Sequence, residues 1–144
     1  MKITKEITFD SAHMLSNYSG KCNNLHGHTY KLQVEIEGEV NQESNMVIDF
    51  NDMKTILNEV VMSNFDHAII FSAPEFREES ENELYKWAVK YQKRHIVLYK
   101  GKSTCENMSP IVRDAIVGYL KNHNFHGFKV SVKLWETPTS FAEC

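Results

Sequence analysis

His28-Thr29-Tyr30-Lys31-Leu32-Gln33-Val34-Glu35-Ile36-Glu37 is the stretch whose reading decides the fold. Its even positions, His28, Tyr30, Leu32, Val34 and Ile36, alternate with Lys31, Gln33, Glu35 and Glu37. A period of two marks a strand with one buried face, here running over 28–39. His26 shares the apolar parity, so two imidazoles at i and i+2 leave the chain on one side. Residues 3–13 read as a second strand, with Ile3, Ile7, Phe9, Ser11 and His13 on one parity. Two strands therefore aim three imidazoles at the interior end of a sheet. Buried imidazoles need partners, and a metal ion is a common one.

A single histidine on an apolar face is usually an ordinary core residue. Three on matched parity favour a metal site of His13, His26 and His28. Three nitrogen ligands leave a fourth position for water or substrate, the pattern of catalytic zinc. Zinc suits these ligands, and nickel, cobalt and iron are compatible with them. Cys22 precedes the pair in Cys22-Asn23-Asn24-Leu25-His26-Gly27-His28, delivered by a Ser-, Asn-, Gly- and Lys-rich loop over 15–25. It has two functional readings beside the plain one of a loop cysteine without a role. As a fourth ligand it closes the site and makes it structural. As a base or nucleophile it works as a thiolate favoured by a nearby cation.

Working outward, Met46–Phe50 extends the sheet. Met53, Ile56, Leu57, Val60 and Val61 recur at helical spacing and define a helix over 51–63. Phe65–Phe71 is a short apolar segment. Ser80 with Glu83 has the capping-box pattern, followed by Leu84, Trp87, Ala88 and Tyr91 on one face, a helix over about 81–93. Ile96–Tyr99 is a short extended run. Ile111, Val112, Ala115, Ile116, Tyr119 and Leu120 mark a third helix to about 122, and Phe128, Val130, Val132 and Leu134 alternate as a last strand. Two starts compete for the third helix, Ser103-Thr104-Cys105-Glu106 and Ser109-Pro110. The earlier one places Pro110 inside the helix and predicts an irregular first turn. The order of elements reads as an α+β fold, an antiparallel sheet covered by helices.

The chain has 144 residues, read as one domain over 1–144 with room for a core, and its net charge of −3 carries no nucleic-acid footprint. No apolar run reaches transmembrane length and Met1-Lys2 leads straight into a strand, so no membrane partner and a cytoplasmic location are expected. Cys22, Cys105 and Cys144 are odd in number and lack C-x-x-C spacing, so free thiols are expected.

Two further positions stand out. Asp66-His67 interrupts an apolar segment, as an acid/base pair or as a turn Asp beside a surface His. Adjacency is weak support, because neighbours on a strand point apart. Glu136 falls on the apolar parity of the last strand, either in a salt bridge or water, or meeting an amidine-like N–H pair on a ligand.

These blocks together resemble the 6-pyruvoyltetrahydropterin synthase family, including its bacterial 6-carboxytetrahydropterin synthase branch of queuosine biosynthesis. The resemblance is carried by FDSAH (9–13), KCNNLHGH (21–28), MVIDFNDMK (46–54), FDHAIIF (65–71), TCENM (104–108) and VKLWETPTSFAE (132–143). The short Cys-x-x-x-His-Gly-His and the WETPTS tail look like the carboxy-forming branch. The resemblance implies His13, His26 and His28 as zinc ligands, Cys22 as catalytic cysteine, and Asp66 with His67 as a relay pair. It implies Glu136 as the anchor of the pterin ring, with Thr104, Cys105 and Glu106 lining the same pocket. It also implies the tunnelling fold (T-fold), in which subunits pair sheets into a barrel, and a homo-hexamer built as two trimers with sites at subunit contacts. The implied substrate is 7,8-dihydroneopterin triphosphate. Alternatives within and beyond that activity are triphosphate loss alone, giving 6-pyruvoyltetrahydropterin, and a non-catalytic zinc- and pterin-binding protein. The chain departs from the family at Cys105, where many relatives have Thr or Ala, and at Phe71, where Asn is common. It departs also in Ser109-Pro110 and in the extra length of residues 72–102.

Overall fold

The computed structural model describes residues 1–92 and 94–144. Strands β1 (Lys2–His13) and β2 (His26–Glu37) pair antiparallel along their whole length, with His13 opposite His26 and Phe9 opposite Tyr30. β3 (Ala68–Phe71) and β4 (His95–Val97) add on one side, and β5 (Lys129–Thr137) and β6 (Ser140–Glu143) on the other. The order is β4-β3-β1-β2-β5-β6.

The sheet is mixed, which corrects the expectation of a wholly antiparallel one: β3 runs parallel to both β1 and β4. Helix α3 (Glu79–Tyr91) connects β3 to β4, and β2 with the helical stretch Phe50–Phe65 connects β1 to β3. Parallel neighbours need a crossover of a dozen or more residues, and both connections are that long. The other helices are α1 (Phe50–Leu57), α2 (Ser63–Phe65) and α4 (Cys105–Asn122). A π-helical stretch, Asn58–Met62, joins α1 to α2.

One face of the sheet is dry. Phe9, Tyr30, Leu32, Val34, Ile36, Val132 and Leu134 pack against Met53, Ile56, Leu57 and Val61 from one helical stretch and Met108, Val112, Ile116 and Leu120 from α4. Each fully buried aliphatic side chain contributes about 1.5–3 kcal/mol. The opposite face carries charge, including the cross-strand pair Lys31–Glu6 at 3.0 Å.

Several local expectations are revised. Met46–Phe50 is not a strand. Asp49 caps α1, its carboxylate accepting from the Asn51 N–H at 2.7 Å, and the cap turns Val47 and Ile48 into the core beneath the helix. The Ser80 and Glu83 capping box does not form, because α3 starts two residues earlier, capped at Glu78. The early start points Glu81 inward. Of the predicted apolar face, Leu84 and Ala88 face inward, whereas Trp87 and Tyr91 are largely exposed. The predicted end of that helix at Lys93 lies outside the described residues. α4 begins at Cys105 with Thr104 at its cap and runs on regularly through Pro110. The irregular first turn is absent. Ser109 Oγ donates to the Cys105 carbonyl at 2.6 Å, and the carbonyl that Pro110 deprives of a donor belongs to exposed Glu106. β6 was not foreseen.

Candidate metal centre and acid–base pair

Register brings the three histidines together. His13 and His26 are direct cross-strand partners, and His28 lies one pleat further on the same side. Their ligand atoms converge within 4.8 Å of one another. His13 Nδ1 lies 2.6 Å from the Ser103 carbonyl and His26 Nδ1 lies 2.8 Å from the Asn24 carbonyl. A carbonyl only accepts, so each of these nitrogens carries the proton and each Nε2 presents a lone pair. Nε2 of His13, His26 and His28 are all buried without a hydrogen-bond partner. Three unpartnered ring nitrogens brought together, two of them fixed as acceptors, are costly in a dry interior and are what a metal ion would satisfy. Burial pushes the His13 imidazole down to about 4 and lowers His28 as well, partly offset there by the Glu136 carboxylate. Both rings are therefore in the neutral form that binds a cation.

Glu136 reaches this point from β5. Continuing the β2–β5 register by one residue sets it beside Tyr30. Its Oε1 lies 3.6 Å from His13 Nε2 and 3.9 Å from His28 Nε2, too far for hydrogen bonds, and its side chain is 28 % exposed. It stands at the mouth of the cluster with capacity to accept from a ligand.

Cys22 sits on a 3-10 turn, Lys21–Asn23, and its carbonyl accepts from the Leu15 N–H at 2.8 Å, tying the loop to the end of β1. The thiol is free and half-buried. It is not among the atoms that converge with the imidazoles, which counts against a closed four-ligand set. Burial, then the Glu136 carboxylate, pushes the Tyr30 hydroxyl beside the cluster well above the usual phenol range.

Asp66 and His67 lie elsewhere. His67 N–H donates to the Asp10 carbonyl at 2.6 Å, and Asp66 Oδ1 accepts from the Asp10 N–H at 3.0 Å. His67 has φ of +58°, a left-handed conformation unusual for a side-chain-bearing residue. That kink folds the ring back so that Nδ1 meets Asp66 Oδ2 at 3.0 Å, which adjacency on an extended strand could not achieve. The Asp10 N–H, then His67, hold the Asp66 carboxyl below the usual carboxylate range. Asp10, Ala12, Gly27 and Thr29 belong to the opposite parity from the histidine cluster, so the pair sits on the other face of the sheet. An open cleft of about 430 Å³ lies beside His67, bordered by Asp10, Ala12, Gly27, Thr29 and Ile69 and reaching Ser11, His28 and Ala68. A Cβ on Gly27 would come within 3.3 Å of the Ser11 carbonyl, so this close β1–β2 approach favours glycine. Among the described residues neither Asp66 nor His67 contacts Cys22 through a hydrogen bond or ion pair.

The remaining predicted residues divide. Thr104 is half-buried with no capping bond, Glu106 is exposed, and both flank Ser103 at the start of α4. Cys105 is buried, donates to the Leu134 carbonyl at 2.9 Å, and burial pushes its thiol up to about 11. It is a wall group with its donor already used. Sequence reasoning missed Ser103, whose carbonyl orients His13, and took Tyr30 as plain core although its buried hydroxyl has no partner. The signal for Tyr30 was present: a polar tip on the apolar parity beside His28. Arg94 was also missed. It donates to the carbonyls of Met62 at 3.0 Å, Ser63 at 2.9 Å and Asp66 at 2.9 Å, and so fixes the turn that presents His67.

The fold and the centre define a T-fold protein with a three-imidazole, metal-competent site. Solved structures share this fold: an uncharacterised protein of Wolinella succinogenes (TM-score 0.75, 20% identity, 100% of this chain and 97% of that one) and the 6-pyruvoyl tetrahydropterin synthase of Plasmodium falciparum (TM-score 0.71, 20% identity, 100% and 96%). The family described as 6-pyruvoyl tetrahydropterin synthase matches residues 2–144, and the chain belongs to this family of enzymes. It is 39% identical to the 6-carboxy-5,6,7,8-tetrahydropterin synthase of Haemophilus influenzae, across 99% of this chain and 96% of that protein. It is 31% identical to the protein of the same name from Rickettsia typhi, across 99% of each. Among the described residues no helix is long and apolar enough to cross a membrane.

Proposed function

We propose that this chain, acting as one domain over 1–144, is a zinc-dependent 6-carboxy-5,6,7,8-tetrahydropterin synthase. It converts 7,8-dihydroneopterin triphosphate and water to 6-carboxytetrahydropterin, acetaldehyde and triphosphate, in queuosine (7-deazaguanine) biosynthesis in the cytoplasm. The observation that carries this reading is the convergence of three partnerless Nε2 atoms with the Glu136 carboxylate, which keeps spare acceptor capacity, 3.6 and 3.9 Å from two of them. The full-length likeness to the Haemophilus influenzae protein supports the choice of product.

His13, His26 and His28 hold the metal, which when bound polarises and acidifies substrate hydroxyls. The Glu136 carboxylate accepts the N–H edge of the pterin ring and sets the side-chain carbons between metal and thiol. Thr104 and Glu106 border the ring, and Cys105 closes the wall behind it. The Cys22 thiolate removes a carbon-bound proton from the side chain. Enolisation then expels triphosphate, and cleavage of a side-chain carbon–carbon bond releases acetaldehyde.

Asp66 and His67 complete the relay. Because no hydrogen bond or ion pair joins them to Cys22 among the described residues, we assign each site a thiol from one subunit and Asp66 and His67 of the partner subunit. The assembly that does this is a homo-hexamer, a dimer of trimers, with sites at subunit contacts.

Mass spectrometry of products from zinc-loaded protein and dihydroneopterin triphosphate tests the reading. A 6-carboxytetrahydropterin mass with acetaldehyde is expected. A pyruvoyl product would keep the site and overturn the carboxy-forming outcome. No conversion by metal-loaded, assembled protein would point to a binding protein.

A further inference from the structure

Among the described residues seven polar or charged side chains are buried, and five of them form one connected network: His13, Ser103, Ser72, Glu81 and Ser16. It starts at the candidate metal centre, where His13 Nδ1 donates to the Ser103 carbonyl at 2.6 Å. The Ser103 N–H donates to Ser72 Oγ at 3.3 Å, and the Ser103 hydroxyl donates to the Met14 carbonyl at 3.3 Å. The Ser72 N–H donates to Glu81 Oε1 at 2.8 Å, and the Ser16 hydroxyl donates to Glu81 Oε2 at 2.6 Å. Ser16 Oγ accepts in turn from the Glu78 N–H at 3.1 Å. Glu81 is 0 % exposed.

A carboxylate is costly to bury, and no core-packing need is met by a glutamate in place of a leucine at an inward helical position. What Glu81 does is gather three segments: the chain after β1 at Ser16, the end of β3 at Ser72, and through Ser72 the loop before α4 at Ser103. That loop supplies the carbonyl that keeps the His13 proton on Nδ1 and its lone pair on Nε2. Glu81 stands on α3, the crossover helix between β3 and β4.

We propose that Glu81 is a positioning residue for the metal centre, acting through Ser72 and Ser103 on His13. The proposal rests on the reading of His13 as a metal ligand. It makes the crossover helix between β3 and β4 part of the site's machinery, acting only through the buried network.

The test is metal binding by the full-length protein, stripped and titrated with zinc against a chromogenic chelator, and separately loaded with cobalt(II) for its visible absorption bands. Glu81→Gln removes one of the two acceptors at constant volume. The expected result is an affinity loss of about tenfold or more, the scale for losing a group behind a ligand, with altered cobalt bands. Ala88→Gly, on the same helix and also buried, weakens α3 without touching the network, and should leave affinity within about twofold. Unchanged affinity and bands in Glu81→Gln would overturn the proposal. An equal loss in Ala88→Gly would also overturn it, by reducing Glu81 to a general support of the helix. Should Glu81→Gln not fold, Ser16→Ala removes one donor to the same carboxylate, and an unchanged affinity there overturns the proposal equally. Failure of the metal reading has a different signature: wild-type protein that binds neither ion, or a His13→Ala variant with wild-type affinity.

Discussion

The two faces at one end of the β1–β2 pair were built on opposite terms. On the helix-covered face, His13, His26 and His28 converge with every Nε2 left unpartnered. On the open face, Asp66 and His67 are tied to Asp10, to each other and to Arg94, at the expense of a left-handed His67 backbone. One site is incomplete by itself and the other is already held in place. The difference teaches which of them waits for a complement. The imidazoles keep three buried nitrogens without protein partners, whereas Asp66 and His67 satisfy each other and the Asp10 backbone.

The sharpest way to break the comparison is to remove an imidazole. His28→Ala should lower metal affinity by more than the roughly 100-fold seen when an outer-shell partner is lost, read by bound-metal analysis, while the Asp66 and His67 geometry survives. Cys22→Ala should cut turnover by about 10²–10⁴-fold with bound metal unchanged. Loss of metal in that variant would make the thiol a ligand. Asp66→Asn should cost about 10²-fold, and the two lesions should complement each other. Mixed assemblies of Cys22→Ala and Asp66→Asn chains should regain turnover that neither shows alone. Absence of any recovery would place thiol and relay in one subunit.

A smaller effect concerns acid. His13 titrates at about 4 when folded against an ordinary 6.5, so between these values the unfolded chain binds more protons. Stability of the metal-free protein should therefore fall as pH drops from about 6.5 towards 4, and a His13→Gln variant should show a flatter profile in thermal unfolding. Asp66 has the depressed carboxyl, and its contribution is lost only as pH falls below the ordinary Asp range. Smallest is Thr29→Val. It removes the 2.5 Å bond from Thr29 Oγ1 to Asp10 on the open face, with an expected loss of about 1 kcal/mol in denaturant unfolding.

Much of the inner face was legible because strand parity is a local property. The alternation from His28 to Ile36 and that from Ile7 to His13 are set by a two-residue repeat, and burial chose the face. The long helical stretch after Asp49 and α4 were equally visible from their spacing. What local pattern could not supply was pairing direction and partners distant in sequence. The parallel β3 and β4 follow from a crossover helix, and the capping-box signature at Ser80 gave way to a helix that starts two residues earlier and carries Glu81 inward to buried donors. Ser103, 90 residues from His13, carries no motif that announces its carbonyl.

From sequence alone came the α+β class, the strands bearing the histidines, the thiol's neighbourhood, and a family resemblance resting on short blocks in order. Tertiary structure alone decided three things. It set the tautomer of His13, through a carbonyl that only folding brings near. It tied Asp66 and His67 to Asp10 and Arg94, with no hydrogen bond or ion pair to Cys22 among the described residues. It assigned Glu81 to a buried network rather than to solvent. The physical reason is the same in each case. Periodicity reports which side of an element meets water, whereas hydrogen-bond partners are chosen in three dimensions by groups that must be satisfied once water is gone.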